Sequence, residues 1–191
     1  MPRGKPAAVP DDGLTTRQRR GRPLVIVHTG PGKGKSTAAF GLALRAWNQG
    51  WPVAVFQFVK SARWRVGEEH ALTTLGGSGA GGTVAWHKMG EGWSWIQRDA
   101  GDHAGRAAEG WAQVSRDLAA QAYRLYVLDE FTYPVKWGWV DVDEVISVTR
   151  SAAAVSLGSA SRPVITTCCW PGRAASTLIT SSTSTQPHFI G

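Results

Sequence analysis

The side chains whose types and spacing can do chemistry are Gly34-Lys35-Ser36-Thr37 and, much further along, Asp129-Glu130. A glycine-rich turn lets the backbone aim its N–H groups at an anion, and a helix starting there adds the positive end of its dipole. Lys35 can then reach outer phosphates, and Ser36 can offer its hydroxyl to Mg²⁺. Thr29, Gly30, Pro31, Gly32, Lys33 and Thr37 complete a candidate triphosphate cradle. The glycine usual five residues before Gly34 is absent, with Thr29 in its place and Gly30 and Gly32 inside the loop. The competing reading, a chance Gly/Lys-rich turn, is disfavoured because strand, loop and helix sequence follow in the required order. Tyr126-Val127-Leu128 runs into Asp129 and Glu130, and an apolar strand ending in acids can hold Mg²⁺ directly or through water.

Elements of alternating type must position these groups. Apolar, β-branched runs at 24–28, 53–59, 83–88 and 125–128 predict buried strands, and helix-like segments near 35–49, 67–75, 102–122 and 141–150 separate them. Such alternation implies a mostly parallel sheet with helices on both faces. Asp141 is the expected cap of the last helix, with Glu144 three residues on. Residues 163–167 are compatible with one more strand, 13–20 with a short docked helix, and 76–82 with a glycine-rich loop of no assigned chemistry.

With 191 residues the chain suits one domain, and its 42% hydrophobic content is that of a globular protein. No run approaches the ~20 apolar residues of a membrane span. Met1-Pro2-Arg3-Gly4-Lys5 lacks the apolar core of a secretory signal. Cys168 and Cys169 are adjacent, poor disulfide partners, so a reducing, cytoplasmic setting is expected. The net charge of +7 sits mainly on the ends: residues 22–150 hold fourteen basic and twelve acidic residues. A basic face for nucleic acid is therefore not required. Residues 1–21 read as a flexible basic segment and 22–150 as the catalytic domain.

Two features stay ambiguous on composition alone. Among ten tryptophans, Trp93 and Trp95 lie in a Gly-rich loop after the third strand, where they can wall a flat ligand or pack in the core. Trp137 and Trp139 follow the acidic strand and read either way. From residue 151 onward there is no Asp, Glu or Lys, while fourteen residues are Ser or Thr, which marks 151–191 as an atypical, disordered-looking tail.

The segment Val27-His28-Thr29-Gly30-Pro31-Gly32-Lys33-Gly34-Lys35-Ser36-Thr37-Ala38-Ala39-Phe40-Gly41 resembles the phosphate loop of the ATP:corrinoid adenosyltransferases of cobalamin synthesis. Thr29 in place of the first glycine is part of that family's pattern. Val55-Phe56-Gln57-Phe58-Val59-Lys60, Gly67-Glu68, Gly92-Trp93-Ser94-Trp95, Val127-Leu128-Asp129-Glu130-Phe131-Thr132-Tyr133 and Asp141-Val142-Asp143-Glu144-Val145-Ile146 extend the likeness. The resemblance implies a P-loop NTPase-like fold. It also implies a reaction in which the reduced Co(I) of a corrinoid attacks the 5′ carbon of ATP and triphosphate leaves whole. Lys33, Lys35, backbone amides and Mg²⁺ (or Mn²⁺) would stabilise that leaving group. By the same resemblance Ser36 and Glu130 hold the metal, Asp129 supports them, Lys35, Lys33 and Glu130 are the catalytic set, and Trp93 and Trp95 press on the corrin. Relatives are homodimers, and a reductase must supply Co(I). Neither a membrane nor nucleic acid is an expected partner.

The family's closing motifs, an Ile-Thr-Gly-Arg strand and a Gly-Ile-Glu-like end, do not appear after residue 150. A reading frame shifted near residue 148 would produce such a tail, leaving the fifth strand missing or poorly paired; a divergent tail is the alternative. Two other functions compete with adenosyl transfer. A phosphate-loop hydrolase or phosphotransferase would release phosphate or diphosphate, and a basic nucleic-acid-binding ATPase would bind DNA with steep salt dependence.

Overall fold

The computed structural model describes residues 13, 15, 24–30, 33–60, 65–90, 103–155 and 163–168. Its elements are β1 (Leu24–His28), α1 (Lys35–Asn48), β2 (Val53–Gln57), α2 (Gly67–Gly77), β3 (Val84–Lys88), α3 (His103–Ala119), β4 (Leu125–Asp129), α4 (Thr132–Lys136), α5 (Val142–Val155) and β5 (Val164–Cys168). The strands form one sheet in the order β1-β5-β4-β2-β3, every pair parallel. The α/β fold expected from the alternating pattern is thus the one found. Of the segment 13–20, only Gly13 and Thr15 are among the described residues, and neither is helical.

Strand side chains alternate in direction, so an unbroken apolar strand feeds two cores at once. On β2 and β4, Ala54, Phe56, Tyr126 and Leu128 face one way and join Trp111, Val114 and Leu118 of α3 and Val145 and Ala152 of α5. Val53, Val55, Leu125 and Val127 face the other way, against Ala39, Phe40, Ala43 and Ala46 of α1 and Leu72 of α2. Burying one such side chain contributes roughly 1.5–3 kcal/mol, so the paired central strands hold both layers together. In α3 the buried positions 103, 107, 110, 111, 114 and 118 recur at helical spacing, so a single stripe meets the sheet. The Glu144 amide donates to Asp141 Oδ1 at 2.8 Å, which is the cap expected at the start of α5.

The glycine-rich segment after α2 has a packing role. A Cβ on Gly82 would overlap the Trp51 backbone, and one on Gly81 would meet Trp47. Close approach of the two backbones, not ligand chemistry, accounts for glycine there.

The strand compatible with 163–167 is present, and the missing or poorly paired strand that a shifted frame would leave is not found. α5 runs on to Val155, and Val164–Cys168 is neither missing nor peripheral: it lies between β1 and β4 in register with both. The physical reason is local. Four of the five β5 residues are β-branched, and a Val-Ile-Thr-Thr run suits a pleated, buried strand whatever follows it. Residues 169–191 lie outside the described residues.

Candidate active site

Because all five strands are parallel, their C-terminal ends share one edge, the place where open α/β sheets bind ligands. β1 ends there at His28 and hands the chain to the loop that opens α1. Gly34 caps α1 in a left-handed conformation, φ 100°, which only glycine adopts without strain. No side chain caps this helix, and no acid stands in its first turn. Its N-terminal amides therefore present positive charge to an anion without opposition. The Lys35 ammonium donates to the Gly30 carbonyl at 2.9 Å, so it folds back across the loop. Lys33 is exposed at the loop's rim.

β4 delivers Asp129 to the same edge, and its carboxylate is fully engaged. Oδ1 accepts the Ser36 hydroxyl at 3.1 Å. Oδ2 accepts Gln57 Nε2 at 2.9 Å and the Lys60 ammonium at 2.8 Å. Burial works against the Lys60 charge, but Asp129, by charge and hydrogen bond, and then Glu130 and Glu68 outweigh it and raise its pKa. Glu130 follows at φ 60°, a left-handed conformation uncommon outside glycine. Burial pushes its carboxyl pKa up, the Asp129 charge adds to the rise and Lys60 opposes it.

The structure thus brings together Ser36 and Asp129, with Glu130 next in chain and Lys35 and Gly30 across the loop; Thr29 and Thr37 flank them. Pro31, Gly32, Trp93 and Trp95 lie outside the described residues, although β3 and Gly90 carry the chain to this edge immediately before that loop. Trp137 packs on Tyr133 and on Trp139, and Trp139 on His103, so these half-buried rings tie α4 and its following turn to α3. Sequence reasoning did not single out Gln57, Lys60 and Trp86 as parts of the site. The signal was present: a glutamine and then a lysine break an otherwise apolar buried run, and a wholly buried polar side chain needs a partner.

The donor set fits a hard cation. One hydroxyl and two carboxylates are oxygen ligands of the kind Mg²⁺ takes, and Mg²⁺ completes its shell with water and phosphate. Among the described residues no group of three or more His, Cys, Asp or Glu side chains could hold a metal alone.

Residues 21–158 match the family described as ATP:corrinoid adenosyltransferase BtuR/CobO/CobP. The chain belongs to the ATP:corrinoid adenosyltransferase family. It is 34% identical over 151 residues to a corrinoid adenosyltransferase of Pseudomonas aeruginosa, covering 79% of this chain and 70% of the relative. With the corrinoid adenosyltransferase CobA of Salmonella typhimurium the identity is 35% over 140 residues, 73% of this chain and 67% of that one. For the Escherichia coli K12 corrinoid adenosyltransferase it is 34% over 135 residues, 71% and 65%. The chain thus spans about two thirds of the length of these relatives. The crystal structure of the flagellar accessory protein FlaH from Methanocaldococcus jannaschii aligns at TM-score 0.48 and 16% identity, over 86% of this chain and 68% of that one, too loosely to bear on function. Family and relatives agree on a transferase of cobalamin biosynthesis that adenosylates a corrinoid with ATP.

Proposed function

We propose that this adenosyltransferase binds the triphosphate of ATP at Gly30–Thr37 and passes the 5′-deoxyadenosyl group to a corrinoid in the Co(I) state. The reading rests on the Ser36 hydroxyl standing 3.1 Å from Asp129 at the mouth of an uncapped helix. Co(I) brings its own electron pair, so no general base is needed. The bond from the 5′ carbon to oxygen breaks as the bond to cobalt forms, and triphosphate carries the charge away. Lys35, Lys33 and the α1 amides meet that charge with fixed positive ends, which need no reorganisation as the bond breaks. Ser36, Glu130 and Asp129 would hold Mg²⁺, which supplies further charge neutralisation at the phosphate oxygens. Trp93 and Trp95 are proposed as an apolar wall for the corrin ring. The domain is proposed to span 22–150 together with β5, to work as a cytoplasmic homodimer and to draw Co(I) from a reductase.

Anaerobic incubation with ATP, Mg²⁺ and chemically reduced cobalamin tests this. The expected result is the spectral change of cobalt–carbon bond formation with stoichiometric triphosphate. Release of phosphate or diphosphate without that change would overturn it in favour of a hydrolase or phosphotransferase.

A further inference from the structure

Ser36 and Phe40 stand four residues apart on α1, so both face the sheet on the same side. From each of them a chain of contacts leads inward, and the two chains meet. Ser36 donates to Asp129 Oδ1. Asp129 Oδ2 accepts Gln57 Nε2, and the two residues are direct register partners on β4 and β2. Gln57 Oε1 accepts the Trp86 indole Nε1–H from β3 at 2.9 Å. The Trp86 ring in turn stacks on Phe40, with centroids 5.3 Å apart. The ring of contacts therefore closes on α1.

The chemistry of each member leaves one arrangement. An indole N–H can only donate, so the Gln57 oxygen must face Trp86. That forces the Gln57 amide nitrogen towards Asp129, where a carboxylate can only accept. Gln57 is wholly buried, so water cannot substitute for either partner. We propose that Gln57 and Trp86 are positioning residues for the metal side of the site: they fix the Asp129 carboxylate at the angle from which it faces Ser36 and the incoming Mg²⁺–ATP. Lys60 supplies the charge balance on Asp129 Oδ2, whereas Gln57 and Trp86 supply its direction. The inference rests on reading Ser36 and Asp129 as the metal side of an ATP site.

Calorimetric titration with ATP, in Mg²⁺ and in EDTA, tests the proposal on Gln57→Met, which nearly keeps the volume, and Trp86→Phe, which keeps a ring against Phe40. Gln57→Met is expected to weaken Mg²⁺-dependent ATP binding about tenfold or more, the loss due to one hydrogen bond to a charged group, and Trp86→Phe, which removes a bond to a neutral amide, by less, while binding in EDTA is unchanged. The double variant should lose no more than Gln57→Met alone, because both changes break one chain. In protein labelled with ¹⁵N-tryptophan, Gln57→Met should shift the Trp86 Nε1–H resonance and speed its exchange with water. Mg²⁺–ATP affinity equal to wild type in both variants, or an equal loss with and without Mg²⁺, would overturn the proposal by making the pair merely structural. Wild-type protein that binds Mg²⁺–ATP but forms no cobalt–carbon bond would overturn the transferase mechanism and leave the positioning role standing.

Discussion

β4 and β5 are neighbours in register, yet they are built from different side chains and do different work. β4 is Leu-Tyr-Val-Leu-Asp, wholly buried; its Asp129 carboxylate is saturated by Ser36, Gln57 and Lys60, and its Tyr126 hydroxyl donates to the Asp117 carbonyl. β5 carries Thr166 and Thr167 in the same central layer. Thr166 Oγ1 pairs with His28 Nε2 at 3.0 Å, whereas Thr167 Oγ1 is buried with no hydrogen-bond partner among the described residues. Centrality in a sheet is thus set by register and β-branching. Polar completeness is set by whether neighbouring elements aim a partner at the group.

The sharpest test of that comparison is to make equal cavities on the two strands. Leu128 and Ile165 are 2% and 4% exposed and belong to the same core layer. Leu128→Ala and Ile165→Ala should each cost about 2–5 kcal/mol in denaturant unfolding. A full cost on β4 with almost none on β5 would show that β5 is a loosely held insert. Next in size, Lys35→Ala should weaken ATP binding roughly tenfold to a hundredfold by calorimetry, the loss of a charged hydrogen bond of ~1.5–3 kcal/mol. Its unfolding midpoint should stay near wild type, which separates the site beside β4 from the sheet that carries it.

Thr167→Val should do the opposite of the cavity changes. It keeps the shape of the side chain and removes an unpaired buried hydroxyl, so stability should rise by up to ~1 kcal/mol with ATP binding unaltered. A loss of stability would mean that the hydroxyl has a partner and that β5 is as complete as β4. The smallest effect concerns another orphan, His87 Nε2 on β3, whose ring stacks on Phe56 at 4.6 Å. Burial lowers its pKa below the ordinary 6.5, against the opposing charge of Asp117. The unfolded chain therefore binds a proton more readily as pH falls through that value, and the fold loses stability on acidification. His87→Phe keeps the stacking and should flatten part of the acid limb of the stability–pH curve; His28, also lowered by burial, keeps the remainder. An unchanged curve would remove His87 from the balance.

Much of this was legible in order of residue types. The Val-His-Thr-Gly start, Gly34-Lys35-Ser36, the Asp129-Glu130 strand end and the Asp141 cap are local patterns, and local backbone preferences place them on strand, loop and helix without help from the rest of the chain. The parallel α/β arrangement followed because unbroken apolar strands must be covered on both faces. β5 was legible only as a faint β-branched run, since nothing in its own residues says which two strands it will separate. Gln57 stood out as a polar break in an apolar run, but its pairing with Asp129 and Trp86 was out of reach for the same reason. Those partners are 72 and 29 residues distant in sequence, and only strand order and register set them side by side. Residue types by themselves determined a candidate phosphate loop, an acidic strand end and a family resemblance to adenosyltransferases. The tertiary structure decided which buried polar groups meet, because hydrogen bonds between strands depend on register and on the helix packed above them, and neither is a property of any single segment.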